Sequence, residues 1–384
     1  MAWDIQATVT IDGVSYVTKA IGALSVDFGR VNVWDTQRAS IATIKLLDIT
    51  DSGFAGIDIN DPVVIQIQNA TNSAYITIFT GTVSQIVGTM RISNVTTDVA
   101  SITVTAVGPF AKLSRSPVGT VVYPSENEAQ RISRILTESG ASIDVIDSGT
   151  YTLMERAVNP NDALTLVNNY AAMATGAVYE TTSGAIGYAS QQRRNTDVAT
   201  NGYYAIDPSY IGVNNIQSQK NLSDVINLIN IGYNGSSYVG SSNTSSIATY
   251  GTIGGTYSTE IASLSDASAL AGIYLGMRSY PKTSINAFDI RLDNPSLAAV
   301  TLNKLLNMYF GFPISIAGLP LSISPTTYQG FVEGWNLSFD SVVAKITIRS
   351  TDKTYSYRSS RWMDTNAALI WSAVGATLTW ATYD

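Results

Sequence analysis

Tyr328-Gln329-Gly330-Phe331-Val332-Glu333-Gly334-Trp335-Asn336-Leu337-Ser338-Phe339, closed after a short break by Ala344-Lys345-Ile346-Thr347-Ile348-Arg349-Ser350, decides how the chain is read. Val332, Gly334, Leu337 and Phe339 give a broken period of two. Ile346 and Ile348 alternate with Lys345, Thr347 and Arg349, the pattern of a half-buried strand. The two segments predict an antiparallel hairpin. A hairpin of the same form lies far upstream, opened by Phe79-Thr80-Gly81-Thr82-Val83-Ser84-Gln85-Ile86 and closed by Ala100-Ser101-Ile102-Thr103-Val104-Thr105-Ala106. Gly81-Thr82-Val83 aligns with Gly330-Phe331-Val332, and Ser101-Ile102-Thr103-Val104 with Lys345-Ile346-Thr347-Ile348. The chain therefore reads as two diverged copies of one β unit, near its two ends.

At 384 residues the chain has room for two to four domains with cores that need no staples. Apolar residues make up 45% and charged ones only 13%, so solubility rests on neutral Ser, Thr, Asn and Gly. With 21 Tyr and 6 Trp, the composition suits a β-rich assembly protein whose subunit contacts use amphipathic rings. A net charge of −7 argues against a phosphate-gripping surface, and the one tight basic run, Arg193-Arg194, reads as a solvated loop. Cysteine and histidine are both absent, which removes disulfides, thiolate chemistry, zinc–sulfur sites, the Ser-His dyad and the commonest metal ligand. Met1-Ala2-Trp3-Asp4-Ile5 shows no basic and apolar leader pattern, so synthesis in a host cytoplasm is expected. The uncharged tract from Thr365 to Tyr383 has too few aliphatic residues for a membrane span and reads as a hairpin around Gly375.

Residues 5 to 110 read as strands throughout, beginning with a hairpin turned at Asp12-Gly13. Near Pro117 the period changes. Ser125-Glu126-Asn127-Glu128 reads as a capping box ahead of a helix that ends at Gly140, and a second helix runs from Asn159-Pro160-Asn161-Asp162 to Gly176. Ala177 to Glu180 and Ala185 to Tyr188 then pair around Ser183-Gly184. A strand is expected over 224–233, a long exposed loop over 234–256, and helices from Ser265 to about Tyr280 and from Pro295 to about Phe310, with a strand over 285–292 between them.

Sites of chemistry are weak. Asp48, Asp51, Asp58 and Asp61 crowd one region without the spacing of a calcium loop and read as turn formers. Glu180, Glu260, Asp289 and Glu333 are acids a glycosidase could use, yet no spacing selects a pair. Gly251-Thr252-Ile253-Gly254-Gly255 lacks the lysine of a phosphate loop. Trp335, Trp362, Trp371 and Trp380 read as core or seam residues before sugar-stacking ones.

With these segments in place, the chain resembles the tail hub or baseplate hub proteins of tailed bacteriophages, the minor tail proteins of long-tailed phages. The likeness rests on Phe28-Gly29-Arg30, the strand Ile78 to Val83, Asn221-Leu222-Ser223-Asp224-Val225-Ile226-Asn227, Thr249-Tyr250-Gly251, the Ala-rich helix around Ala267 to Leu275, and Val332-Glu333-Gly334-Trp335. The resemblance implies a mainly β fold with α+β inserts: a first β-barrel hub domain over 1–116, an α/β insert domain over 117–200, a second β-barrel hub domain over 201–355, and a C-terminal hairpin extension over 356–384. It further implies a non-enzymatic homotrimer without cofactor, metal or membrane span at the distal end of a virion tail. Its two barrels per chain would make an approximately sixfold ring under the tail tube, open to the tape measure protein and to transient passage of DNA, and joined to receptor-binding or fibre proteins. Phe79, Gly81, Val83, Ile102, Val104, Gly330, Val332, Trp335, Ile346 and Ile348 are then the candidate ring-forming residues of the repeated hairpins. A hexameric tail ring of the distal type and a carbohydrate-binding adhesin are the alternatives.

Overall fold

The computed structural model describes residues 6–17, 20–47, 56–92, 97–212, 216, 218–285, 287–319, 326–340 and 343–356. Strands β1 (Ala7–Ile11) and β2 (Val14–Val17) form the expected hairpin, with φ of 46° at Asp12 and 78° at Gly13. Both turn residues being left-handed is what a two-residue hairpin requires, and Asp-Gly tolerates it best. Five strands follow: β3 (Ile21–Gly29), β4 (Ile41–Leu47), β5 (Pro62–Gln68), β6 (Tyr75–Ile92) and β7 (Thr97–Val107). Leu24, Val26 and Phe28, then Ala42, Ile44 and Leu46, then Val63, Ile65 and Ile67 are buried at every second position. That alternation is the strand period written in side chains.

After β7 the chain leaves the sheet through a one-turn helix, α1 (Phe110–Leu113), and builds an inserted body. Helix α2 (Glu128–Glu138) is capped by Asn127, whose side chain accepts from the Gln130 backbone N–H while the Gln130 side chain accepts from that of Asn127. The capping box thus lies two residues beyond the Ser125 expected to open it, because Ser125 Oγ donates to the Leu153 carbonyl oxygen and Glu128 accepts from the Thr150 and Tyr151 N–H groups instead. Strand β8 (Ile143–Ile146), helix α3 (Ala163–Met173), strands β9 (Ala177–Glu180) and β10 (Ile186–Ala189), and helix α4 (Arg193–Asn201) complete this first half. Strand β11 (Tyr204–Ile206) returns to the large sheet.

The chain then goes back to the inserted body with β12 (Leu228–Tyr233), β13 (Ser237–Ser242), α5 (Thr244–Tyr250), β14 (Gly254–Tyr257) and α6 (Leu264–Arg278). Residues 234–256, expected as a long exposed loop, are therefore two strands and a helix: β12 pairs antiparallel with β13 and parallel with β14. Ile229, Ile231 and the α6 residues Ala267, Leu270 and Ala271 close the buried side of the small sheet. The last part of the chain supplies β15 (Ala287–Arg291), α7 (Ala299–Leu306), β16 (Pro313–Ala317), β17 (Thr327–Asp340) and β18 (Ala344–Asp352).

Two hydrophobic clusters organise these elements. One joins residues of β1 to β7 with residues of β15 to β18, so both hairpin copies share a single core. The other joins Phe110 to Tyr188 with Ile226 to Leu275. Residues 226–275, grouped from sequence with the second hairpin, therefore pack into the inserted body. The fold is mainly β, but two closed barrels are not what the strands make. Among the described residues they pair into one 12-stranded sheet, ordered β11-β16-β17-β3-β4-β7-β6-β5-β1-β2, with β18 beside β17 and β15 beside β18. The reason is β3, which pairs with β4 on one edge and with β17 on the other and so splices the two copies together. The expected hairpin over 356–384 lies, beyond Ser356, outside the described residues. No described helix is long and apolar enough to cross a membrane.

The two copies match strand for strand. In the first, β4 pairs with β7, β7 with β6 and β6 with β5; in the second, β15 pairs with β18, β18 with β17 and β17 with β16. Thr82↔Val107, Val83↔Ala106, Gln85↔Thr105 and Ile86↔Val104 correspond to Phe331↔Thr351, Val332↔Ser350, Gly334↔Arg349 and Trp335↔Ile348, and a bulge skips Ser84 in one and Glu333 in the other. Pro62 faces Thr82 as Pro313 faces Phe331. Just before each proline a residue with left-handed φ, Asn60 (71°) or Gly311 (84°), donates its N–H to the Val83 or Val332 carbonyl oxygen, at 2.9 and 2.8 Å. The ring two residues upstream lies over each glycine, Phe79 over Gly81 and Tyr328 over Gly330, where a Cβ would come within 2.6 Å of the ring side chain. Covering a strand glycine with an aromatic side chain restores the contact that the missing Cβ forfeits.

Gly81→Ala and Gly330→Ala are each expected to cost about 1–3 kcal/mol, because the new methyl meets a ring and a backbone carbonyl that cannot move aside. Gly276→Ala, on α6 with open space around it, should be neutral or slightly stabilising. Chemical denaturation of the three variants checks this: similar losses at 81 and 330 but not at 276 are the outcome that the shared environment requires.

Candidate assembly surface

All ten residues singled out in the repeated hairpins lie on the large sheet. Phe79, Val83, Ile102, Val104, Val332, Trp335, Ile346 and Ile348 are buried in its core, and Gly81 and Gly330 sit under their aromatic neighbours. What the sequence did not reveal is that the Phe28-Gly29-Arg30 and Glu333-Gly334-Trp335 motifs, some 300 positions apart, face each other. On adjacent strands Phe28 is opposite Trp335 and Gly29 opposite Gly334. The Phe28 and Trp335 rings stack at 5.0 Å with 19° between their planes. Gly29 has φ of 76°, and a Cβ on it would lie 2.7 Å from the Gly334 Cα, while one on Gly334 would lie 2.8 Å from the Arg30 carbonyl oxygen. Both positions must be glycine for the two backbones to come this close.

Glu333, the bulged residue, is fully buried beneath this contact. Arg30 Nε donates to its Oε2 at 2.8 Å and Arg194 Nη2 to its Oε1 at 2.5 Å. The Arg30 and Arg194 guanidiniums both lie over the Phe310 ring, at 5.3 and 5.9 Å. Burial by itself would raise the Glu333 carboxyl pKa, but the Arg194 and Arg30 charges outweigh it and hold the group below the usual carboxylate range. Burial also pushes the Arg194 pKa down, and Arg30 beside it adds to that against the pull of Glu333, since two cations share one anion. The site thus ties together β3, the bulge of β17 and the start of α4, which belongs to the inserted body. Arg193-Arg194 is accordingly no solvated loop. It opens α4, with Arg193 paired to Asp147 and Arg194 to Glu333.

The other acids weighed for chemistry have structural partners too. Glu180, on β9, accepts from the Ser40 N–H at 2.7 Å and the Phe110 N–H at 2.6 Å, docking the inserted body against the end of the β4–β7 pair where β4 begins and β7 finishes. Burial raises its pKa, and the two backbone donors offset only part of that. Glu260 accepts from Arg156 Nη1, Arg131 Nη1 and the Tyr170 hydroxyl, and Asp289 from Thr347 and Lys345. Asp58 and Asp61 cap a turn, Asp61 Oδ2 accepting from the Asp58 N–H. Asp48, Asp51, Trp362, Trp371 and Trp380 lie outside the described residues.

The repeat exposes one difference between its copies. In the second, the edge of β17 from Gly334 to Asp340 is paired with β3. The equivalent edge of β6, from Gln85 to Thr89, has no strand partner among the described residues, since β5 stops pairing at Thr82. Val87 is 49% exposed there, and its counterpart in the covered copy, Asn336, is half-buried. An unpaired edge of this kind presents backbone donors and acceptors to any strand that can reach it.

No protein-family model matches the sequence, and no curated protein matches it. Solved structures do. The 43 kDa tail protein of prophage MuSo2 from Shewanella oneidensis superposes with a TM-score of 0.62 at 9% identity, over 92% of this chain and 100% of that one. A tail protein from Neisseria meningitidis gives 0.63 at 6% identity, over 92% and 98%. An Escherichia coli component of the type VI secretion system, itself described as structurally similar to the T4 bacteriophage tail proteins gp27 and gp5, gives 0.50 at 11% identity over 91% and 79%. The chain has the fold of phage tail proteins.

Glu333→Ala is expected to destabilise the protein by roughly 3–5 kcal/mol, because it leaves two buried guanidiniums without a counter-charge. The sign with pH follows from the lowered carboxyl pKa: the pairing contributes fully above the ordinary carboxylate range and is lost as pH falls through the folded-state value. Thermal melts from pH 7 down to pH 3 should therefore show the gap between wild type and Glu333→Gln narrowing toward acid.

Proposed function

We propose that this protein is a structural hub of a phage tail tip, a trimer whose six copies of the repeated unit ring a central passage. The observation that carries the reading is the mismatch between the two copies. Each unit presents the same β6/β17-type edge, but among the described residues of one chain the edge on β17 is filled, by β3, and that on β6 is not. Repeating the same junction between chains brings a strand beside the second copy of one subunit onto Gln85 to Thr89 of the next. Such a heterologous contact generates a closed ring when the rotation closes. Three chains with two units each present six similar positions to a sixfold tail tube, and barrel-like closure then belongs to the assembly, not to the single chain.

The tail-protein fold, including its likeness to a protein described as similar to gp27 and gp5, supports this placement at the tail's distal end. The further partners follow from it: the tail tube or a ring beneath it, the tape measure protein, and receptor-binding or fibre proteins outside. A chain with net charge −7 suits a passage that DNA traverses without adhering. The role is non-enzymatic, in keeping with carboxylates Glu180, Glu260, Asp289 and Glu333 that hold backbone groups and cations in place.

Native mass spectrometry of the purified protein is expected to give three chains. Gly88→Pro, which removes a backbone donor from the open edge while leaving the β6–β7 ladder bonds in place, should shift the mass toward one chain with little change in melting temperature. Six chains in the wild type would indicate a different tail ring, and a Gly88→Pro trimer would remove the β6 edge from the interface.

A further inference from the structure

Between the large sheet and the inserted body lies a cleft of about 450 Å³ that the assembly reading does not use. Its size is that of small-ligand sites, roughly 300–1,000 Å³. We propose that this cleft binds a carboxylate carried on an aromatic or aliphatic body, either a free organic acid or an acidic side chain in an extended segment of a neighbouring protein.

Charge is the first argument. Arg30, Arg193, Arg194 and Arg278 all line the cleft, with Asp35 as the acidic residue among the lining side chains. Glu333 serves Arg30 and Arg194 together, and Asp147 serves Arg193. Glu333, Asp147 and Asp197 thus answer Arg30, Arg194 and Arg193, which leaves Arg278 as the lining cation to consider. Arg278 makes no ion pair among the described residues. Its Nε donates to the Asp224 carbonyl oxygen at 2.9 Å, its Nη1 to the Tyr257 hydroxyl at 3.3 Å, and its guanidinium lies 4.3 Å over the Trp34 ring. A guanidinium held flat by a ring and a carbonyl still has N–H groups in its plane to offer a carboxylate.

A second, independent feature stands beside it. Gln37 lines the same cleft, is 5% exposed, and its Nε2 has no hydrogen-bond partner among the described residues. Buried donors without partners are rare in folded proteins, and one at a cavity wall is a place for a ligand acceptor. The wall also carries rings, among polar side chains such as Asn168, Asn169 and Gln191: Tyr257 and Tyr274 stack at 4.9 Å, and Tyr355 meets the edge of Trp34 at 5.9 Å. Rings on the same wall as Arg278 and Gln37 suit an anion with an apolar body, not a bare inorganic ion.

Isothermal titration calorimetry on the full-length protein tests this with three probes: 3-phenylpropionate, a blocked Phe-Asp-Phe tripeptide, and inorganic phosphate. Wild type is expected to bind one or both carboxylate probes, with phosphate failing to compete. Tighter binding of the peptide would identify a protein segment as the natural source, and tighter binding of the free acid a small molecule. Arg278→Met should weaken binding at least tenfold. Gln37→Leu, which removes an unpartnered donor and so leaves the fold intact, should weaken it several-fold. Absence of carboxylate binding at millimolar concentration, equal binding by wild type and folded Gln37→Leu and Arg278→Met, or competition by phosphate would each overturn the proposal. None of these outcomes depends on the number of chains in the assembly, so the hub reading stands or falls separately.

Discussion

Two glycines facing each other across neighbouring strands, Gly29 on β3 and Gly334 on β17, set the condition on which the rest of the molecule depends. Their missing side chains let the two backbones approach, and that approach stacks Phe28 on Trp335 and brings Arg30 onto Glu333. A fully buried carboxylate is costly unless its charge is matched and its oxygens hydrogen-bonded, and two guanidiniums meet both requirements. One of them, Arg194, comes from the inserted body. The contact therefore decides the relative position of three parts of the chain at once: the first hairpin copy through β3, the second through β17, and the insert through α4.

Splicing by β3 also explains why two related units make one sheet and one core. Each copy has the same internal register, the same bulge position and the same left-handed residue before a proline, so each repeats one solution to a bent, glycine-bearing strand. A bulge skips one residue and turns its neighbours, and in the two copies this residue has diverged in use. Ser84 is exposed at the surface, while Glu333 carries the ion-pair network. The copies differ again at their edges, one covered within the chain and one without a strand partner among the described residues.

Much of this was legible in the residues. The alignment of Gly81-Thr82-Val83 on Gly330-Phe331-Val332 and of the closing strands coincides with the observed register, because a period-two pattern with one buried face leaves little freedom to slip. The Asp12-Gly13 turn and the helices around Ile132 and Leu270 were legible for similar local reasons. Residues 234–256 were not, since Ser, Gly and Thr signal a loop on composition while their strands gain stability from β12 and α6, which the local pattern does not show. Arg193-Arg194 misled for the same reason: a charged pair reads as solvated until a buried acid is brought to it from 139 positions away.

By itself the sequence determined the strand-rich composition, the duplicated hairpin and its register, the turns, and the exclusion of cysteine and histidine chemistry, all of which depend on residues close in the chain or on their simple absence. Only the tertiary structure decided which strand lies beside β17, what neutralises Glu333, where 226–275 pack, and which edge stays open. Those depend on pairings across hundreds of residues, where the energy resides in backbone closeness and buried charge, and neither leaves a periodic trace in the sequence.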